Sequence, residues 1–582
     1  MRKTKILATL GPASRDLATM KQMIKNGMDA ARVNFSHGTY ESHGEIINTL
    51  KQAREEMNQP IALVLDTKGP EIRVKTFDEG KLYLDQGQEF TLTTRDVPGT
   101  KEIVSVTYQD LPKDLQIGSR VLIDDGLLEL KVTDLTKTDV KCVLINSGFI
   151  SSRKGVNIPD VFVNLPSLTE QDIEDIKFGI KMGVDFVAAS FVRTAQDINN
   201  IRKVLEDNGG RHIHIIAKIE SREGVDNIES ILEVTDCIMV ARGDLGVEIP
   251  PEEVPLVQKN LIRACNQLGK PVITATHMLE SMQSNPRPTR AEANDVANAI
   301  FDGTDIIMLS GETASGQYPV ESIDMMARIA AQVECSIDYA ELRDSIQNRN
   351  NVTNAISMAA VTTADDLGAV CIVPITDSGF ASRMVSRCRP ACPIMAITAD
   401  EHVCRQLNMS WGCKPVLSEP FIGDSEVFDI SEQMVMEHKL AKAGDTIISV
   451  AGVPVGVAGT TNTMKVRTVG NVLAQGKGNK RGTVQGITRV FHTHDTNDRP
   501  YFERGDIIIC TQTNDTMMEY IKLAGGIVIG SWENMDLSHA KTVAKALDIP
   551  LLTVNVRAVD FVSPGLPVTL DTDAGLLLNG YR

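Results

Sequence analysis

The sequence has no long apolar run. No window approaches the ~20 consecutive apolar residues that a membrane-spanning helix needs, so no membrane partner is expected. The opening stretch MRKTKILATLGPAS has too short an apolar run for a signal peptide, and Pro12 breaks it. Positive charge is also in deficit: 59 Lys and Arg stand against 76 Asp and Glu, a net −17. That balance argues against nucleic acid or an anionic membrane surface as a main partner. There is no C-x-x-C. The ten cysteines are scattered, and close spacings such as Cys388 and Cys392 carry no metal-ligand pattern. Reduced thiols in a cytoplasmic protein are expected. No low-complexity tract occurs.

What is present is an ordinary globular balance, 42% apolar and 23% charged, over 582 residues. That length predicts three or four domains. Eight short apolar runs recur: KILATLG (5–11), AARVNFSHG (30–38), IALVLDTKG (61–69), DFVAASFV (185–192), HIIAKIE (214–220), CIMVARGD (237–244), PVITATHM (271–278) and DIIMLSGE (305–312). Helical periodicity fills most of the gaps. Near-continuous apolar strands alternating with helices predict parallel sheet. Eight such units predict an α/β fold built on a TIM (β/α)8 barrel. The first strand-to-helix turn lacks G-x-G-x-x-G, which weakens a dinucleotide-binding alternative.

One gap is too long. Residues 70–184 separate the third and fourth runs, and GKLYLDQGQEFTLTT and SRVLIDDGLLELKVTDL alternate within it. This predicts an inserted antiparallel β-barrel domain over 70–167, leaving from the C-terminal end of a strand. Active sites occupy that face of such barrels, so the insertion is placed as a lid. The barrel itself takes 1–69 and 168–340. After about residue 340 the alternation restarts, and a separate α/β domain is expected over 350–472. AQGKGNKRG (474–482) reads as a linker. An extra C-terminal domain follows over 477–582, with GDIIICTQT, AGGIVIGS and IPLLTVN as its strands.

Polar residues collect where the eight runs end. The second run ends Arg32, Asn34, Ser36 at period two, and the third ends Asp66, Thr67. The fifth carries Lys218 and Glu220 on one face, with Ile219 facing away. The sixth ends Arg242, Gly243, Asp244, the seventh Thr274, Thr276, His277, and the eighth Ser310, Gly311, Glu312. In a barrel these ends converge on one rim. Glu220 and Asp244 suit Mg²⁺ or Mn²⁺, which keep waters and take substrate oxygens. Asn34, Ser36, Asp66 and Thr67 offer oxygens with little net charge, as a monovalent cation needs; a hydrogen-bonded polar cluster would use the same residues. Arg32, Arg73 and Lys218 supply positive charge for a phosphate. The residues themselves lead to a metal-dependent enzyme acting on a phosphorylated or carboxylated small molecule.

At these positions the chain resembles the pyruvate kinase family. The motifs are IIAKIESREG, ARVNFSHG, LDTKGPEIR, KGVNIP, VARGDLGVEIP, PRPTRAE, DVANAIFDGTDIIMLSGETASGQYP and TTNTMKV, within residues 1–472. The resemblance implies transfer of the phosphoryl group of phosphoenolpyruvate to ADP, giving pyruvate and ATP, the last step of glycolysis. It implies Mg²⁺ on Glu220 and Asp244, and K⁺ on Asn34, Ser36, Asp66 and Thr67, with Glu71 the residue type of K⁺-dependent members. Arg32 would bind the substrate phosphoryl group, and Lys218 would face the transferring phosphoryl and the enolate oxygen. Gly243, Asp244 and Thr276 would line the substrate site. Arg73 and Lys154 would contact nucleotide phosphates. Thr276 and Ser310, through water, would protonate the enolate. His277 stands where the family commonly has glutamine.

TDSGFAS (376–382) follows a strand and precedes a helical run, the position of that family's effector domain. Thr376, Ser378 and Ser382 are the implied contacts to a sugar- or nucleotide-phosphate effector, in a homotetramer. The last hundred residues resemble the phosphohistidine-swivelling domain of phosphoenolpyruvate-using enzymes. His539 in LSHAKTVAKALDIPLLTV holds the position of the phosphorylated histidine, but SWENMD (531–536) replaces the expected glycine pair. That departure favours a packing and assembly module. Two competing readings are a Mg²⁺-dependent barrel lyase acting on pyruvate and a non-catalytic effector-binding protein.

Overall fold

The computed structural model describes residues 2–346, 351–420, 423, 426–454, 461–480, 482–492, 501–530, 536–555, 558–560 and 562–581. The eight apolar runs form strands β1 (Lys5–Leu10), β2 (Ala30–Asn34), β3 (Ala62–Asp66), β4 (Phe186–Ala189), β5 (His214–Ile219), β6 (Cys237–Ala241), β7 (Val272–Ala275) and β8 (Ile306–Leu309). Each pairs with its neighbours in sequence, and β8 closes in parallel on β1, with Lys5 opposite Ile306. The strands show no polar alternation because both faces are buried. Ile6, Val33, Leu65 and Ile219 pack outward under the helices, while Leu7, Val64, Ile216 and Met239 fill the barrel interior.

The N-terminal face of this barrel is covered by residues 374–420. Met409 packs among the interior residues Leu7, Ala30 and Ile306. Arg405 Nε lies 2.8 Å from the carboxylate of Asp185, and Arg389 Nη1 lies 2.8 Å from that of Asp305. Both pairs are buried, so truncating one partner would strand a charge in the core. The opposite face is left for chemistry.

The insertion leaves after Gly69. This glycine has φ +72°, and a Cβ there would meet the Ser190 Cβ at 2.7 Å, so only glycine passes. Within the insertion Lys81–Leu84 pairs with Gly148–Ser151, and a six-stranded sheet runs from Val156–Asn157 to Ile103–Ser105. The pairings are antiparallel except that Glu89–Thr93 runs parallel to Ile103–Ser105. Phe90, Leu92, Val121 and Leu130 lie in its separate core.

Contacts divide the chain into two compact units, one of residues 1–361, 374–420 and 456–461, the other of 362–373, 421–455 and 462–582. This division runs differently from the four segments expected from sequence. Arg389, Arg405 and Met409 tie part of the expected 350–472 segment to the barrel.

In the second unit seven strands close a smaller barrel, in the order Val472–Gly478, Leu551–Val554, Gly526–Gly530, Ile507–Cys510, Thr483–Phe491, Pro567–Asp571 and Leu576–Asn579. The linker reading of 474–482 is therefore corrected. Val472–Gly478 is a strand paired on both sides. Its glycines serve close approach: a Cβ on Gly476 would meet the Thr553 carbonyl oxygen at 2.0 Å. Of SWENMD, residues 531–535 lie outside the described residues.

Candidate active site

Lys218 ends β5 with its ammonium in a ring of oxygens. Nζ donates to Ser190 Oγ at 2.7 Å and to Asp66 Oδ1 at 3.2 Å, and lies 2.9 Å from Glu220 Oε1. Burial alone would pull its pKa down, but Asp66 and Glu220 outweigh it and hold the group above the ordinary lysine value. Asp66 is shared. Its second oxygen accepts from Arg32 Nε at 2.5 Å, while Arg32 Nη1 reaches Thr9 Oγ1 at 3.0 Å. Burial would raise the Asp66 pKa, yet the two cations bring it below the usual aspartate value. β1, β2, β3, β4 and β5 thus contribute to one network through Thr9, Arg32, Asp66, Ser190 and Lys218.

Glu220 is 1% exposed. It accepts from the Phe191 N–H at 2.6 Å, and Phe191 adopts a left-handed backbone, φ +56°, to make that bond. Burial, with Asp244 beside it, pushes its carboxyl up to about 7 against the pull of Lys218. Asp244, in the first turn of the helix Arg242–Glu248, is likewise raised, by burial above all. Lys218 and a hydrogen bond with Glu220 oppose that rise. Among the described residues no group of three or more Asp, Glu, His or Cys is placed to hold a metal.

The end of β7 is strained and clamped. Thr276 and His277 have φ of +65° and +54°, unusual for a β-branched residue above all. Arg242 holds this turn: Nη2 donates to the Thr276 carbonyl at 2.5 Å, Nε to that of Ala275 at 3.2 Å, and the guanidinium pairs with Asp295 at 2.8 Å. The result aims Thr276 Oγ1 at the Gly243 N–H, 2.9 Å away. Gly243, Asp244, Thr276 and His277 line a cleft of about 640 Å³. At the end of β8 the buried Glu312 accepts from the N–H groups of Ser310 (2.8 Å) and Leu279 (3.0 Å), tying the β7 and β8 ends together.

Asn34 and Ser36 form a local turn, with Asn34 Oδ1 accepting from the Ser36 N–H at 3.0 Å. Asn34 is in register with Asp66. The Thr67 carbonyl accepts from Ser190 Oγ at 2.7 Å. On the insertion, Arg73 Nε lies 2.9 Å from the Glu71 carboxylate and Nη1 donates to the Arg153 carbonyl at 2.6 Å. Lys154 pairs with Asp124 at 2.8 Å.

Residues 1–323 match the family described as "Pyruvate kinase, barrel domain", and 354–467 match "Pyruvate kinase, alpha/beta domain". The chain belongs to the pyruvate kinase family. It is 46% identical to the pyruvate kinase of Sporosarcina psychrophila, over 100% of this chain and 99% of that one. It is 45% identical to the pyruvate kinase of Staphylococcus aureus at the same coverage. Among solved structures it is similar to a pyruvate kinase from Cryptosporidium parvum, with a TM-score of 0.77 and 40% identity. That match covers 80% of this chain and 96% of the other.

Membership of the pyruvate kinase family makes the chain a phosphotransferase. Several members of the rim network carried no assignment from sequence. Ser190 and Phe191 lie in the fourth run, whose end looked apolar, and Thr9 sits inside the first. Their role becomes visible only once β3, β4 and β5 lie side by side. Thr376, Ser378 and Ser382 lie away from the rim, in the stretch that covers the opposite barrel face. The Thr376 N–H donates to the Ile397 carbonyl at 2.9 Å. Ser378 offers its carbonyl to Arg383 at 3.3 Å. Ser382 is fully buried, and its hydroxyl has no hydrogen-bond partner among the described residues.

Proposed function

We propose that this rim moves the phosphoryl group of phosphoenolpyruvate to ADP. The P–O bond to the enolate oxygen breaks, a bond to the terminal phosphate oxygen of ADP forms, and the enolate takes a proton at carbon to give pyruvate. The observation that carries this reading is the Lys218 ammonium, buried, kept charged by Asp66 and Glu220, and fixed by Ser190. Phosphoryl transfer needs positioning and charge neutralisation more than covalent chemistry. A lysine held protonated is a fixed positive charge, suited to the transferring phosphoryl and the developing enolate oxygen. Arg32 adds a second cation for the phosphoryl group.

Glu220 and Asp244 would hold Mg²⁺ or Mn²⁺. Burial raises the pKa of both carboxyls, a cost that a cation bound between them would offset, with water and substrate oxygens as its further ligands. Such an ion, when bound, supplies positive charge to those oxygens. Asn34, Ser36, Asp66 and Thr67 would hold K⁺; the amide, hydroxyl and carbonyl oxygens are neutral, and Arg32 and Lys218 already offset Asp66. Arg73 and Lys154 would meet nucleotide phosphates by exchanging their present partners, Glu71 and Asp124. The Gly243 backbone would line the substrate site. Thr276 and Ser310, through water, would carry the proton. The Thr276 hydroxyl donates to the Ala275 carbonyl at 2.7 Å, so it relays a proton by giving up that bond.

The same reading includes a sugar- or nucleotide-phosphate effector at Thr376, Ser378 and Ser382, a cytoplasmic homotetramer, and four functional segments near 1–69 with 168–340, 70–167, 350–472 and 477–582. A phosphate reaching Ser382 would require that buried stretch to open. The last segment serves packing and assembly. In it His539 bonds Thr513 Oγ1 through Nδ1 at 2.9 Å and faces Asp515 through Nε2 at 3.3 Å.

A pyruvate-forming assay with phosphoenolpyruvate, ADP, Mg²⁺ and K⁺ tests the reading. Pyruvate release is expected to require ADP and to collapse when tetramethylammonium replaces K⁺. Pyruvate formed without ADP contradicts the transfer, and a rate unchanged in tetramethylammonium removes the K⁺ site.

A further inference from the structure

We propose that the cavity behind the lid hinge is a second binding site, for a small molecule with a flat apolar body and one positive charge. The cavity holds about 520 Å³, within the range of roughly 300–1,000 Å³ typical of small-molecule sites. Both chain crossings between barrel and insertion line it, through Ile72 on the way out and Ile158, Val161, Val163 and Leu165 on the way back. Phe191 from the end of β4 completes the apolar wall.

The lining is net acidic, with Glu71, Asp160, Glu223, Asp226 and Glu248 against Arg193 and Arg222. Among the described residues none of Asp160, Glu223 and Asp226 has an ion-pair partner within 4.0 Å. Two arginines offset part of this charge, Arg222 acting on Asp160 and Asp226 and Arg193 on Glu223, but neither closes an ion pair with them. Arg222 pairs with Glu253 at 2.6 Å, and Arg193 donates to the carbonyls of Val163 (2.8 Å) and Leu165 (2.7 Å). Deeper in, Glu248 accepts from Asn157 Nδ2 at 2.8 Å, and burial raises its pKa. An apolar wall beside carboxylates that outnumber the two arginines favours a cationic head on an apolar body over a neutral or anionic one.

This cavity is separate from the cleft lined by Gly243, Asp244 and Thr276. It nevertheless touches the backs of two rim residues. Phe191 gives its N–H to Glu220, and Glu71, on the cavity wall, carries the carboxylate paired with Arg73. An occupant would rest on both hinge crossings and the barrel rim at once.

Calorimetric titration of the full-length protein with 1-naphthylmethylammonium, 1-naphthylmethanol and 1-naphthoate decides the matter. One ammonium per chain is expected, bound at least tenfold tighter than the carboxylate. The surface double variant Glu223→Gln/Asp226→Asn should lose at least fivefold in ammonium affinity and keep its affinity for the alcohol. Asp125→Asn, in the other cleft, should leave all three unchanged. Absence of saturable binding, equal affinity for ammonium and carboxylate, indifference to the double variant, or a loss in Asp125→Asn instead would each overturn the proposal.

Discussion

Ser190 shows how much one hydroxyl can organise. It accepts from Lys218, donates to the Thr67 carbonyl, and stands 3.4 Å from Asp66. Replacing it with alanine leaves the ammonium one fixed partner short and releases the Thr67 carbonyl. We predict that Ser190→Ala lowers kcat by about tenfold or more while KM for phosphoenolpyruvate changes less, because the lost bond orients a charge rather than anchoring substrate. Steady-state kinetics read both parameters, and an unchanged kcat contradicts the positioning role. The sequence made Lys218 and Glu220 legible, since period two on a strand puts them on one face. It could not show that they pair directly at 2.9 Å, nor that Asp66 serves Arg32 and Lys218 together. Those contacts depend on which strands are neighbours and in what register.

At the scale of elements, β5 joins a chemical end to a structural one. His214, at its start, packs edge-on against Phe186 at 5.6 Å. Burial outweighs the pull of Asp236 and lowers its pKa to about 4. The unfolded chain takes this proton near the ordinary value of roughly 6.5, and the folded chain resists it until about 4. The unfolded state therefore binds more protons between those values, and stability falls as pH falls through that window. His214→Gln should flatten this part of the pH–stability curve measured by urea unfolding; an identical slope contradicts the assignment.

The glycines of AQGKGNKRG carry the opposite lesson. In sequence they mimic a flexible linker, yet they mark close backbone approach in a paired strand. Glycine alone does not say which, because both uses exploit the missing Cβ. Gly476→Ala should cost about 2–3 kcal/mol or more in the smaller barrel, since its Cβ would meet a backbone oxygen at 2.0 Å. Hydrogen exchange of the Ile507–Cys510 and Gly526–Gly530 amides reports that loss locally. Unchanged protection contradicts it.

Across the whole molecule, the net charge is −17, and one rim interleaves both signs: Arg32 and Lys218 meet Asp66 and Glu220, while Arg73 and Lys154 on the insertion pair with Glu71 and Asp124. The opposite face of the barrel is closed by residues 374–420, which leaves the rim as the face for chemistry. The eight-strand pattern was readable because parallel strands buried on both faces leave near-continuous apolar runs. The attachment of 374–420 was not, because it depends on single long-range pairs such as Arg405 with Asp185. The family matches end at residue 467, just before the seven-stranded barrel begins at Val472, while the bacterial relatives align over the full length.

The proposed transfer rests on the charge of Lys218. The most direct measurement compares the parent protein with Lys218→Met for pyruvate formation from phosphoenolpyruvate and ADP, and in parallel for binding of phosphoenolpyruvate with Mg²⁺. The variant should lose at least about a thousandfold in turnover, as removal of a principal electrostatic group does, and still bind substrate and metal. Turnover near that of the parent would contradict the assignment.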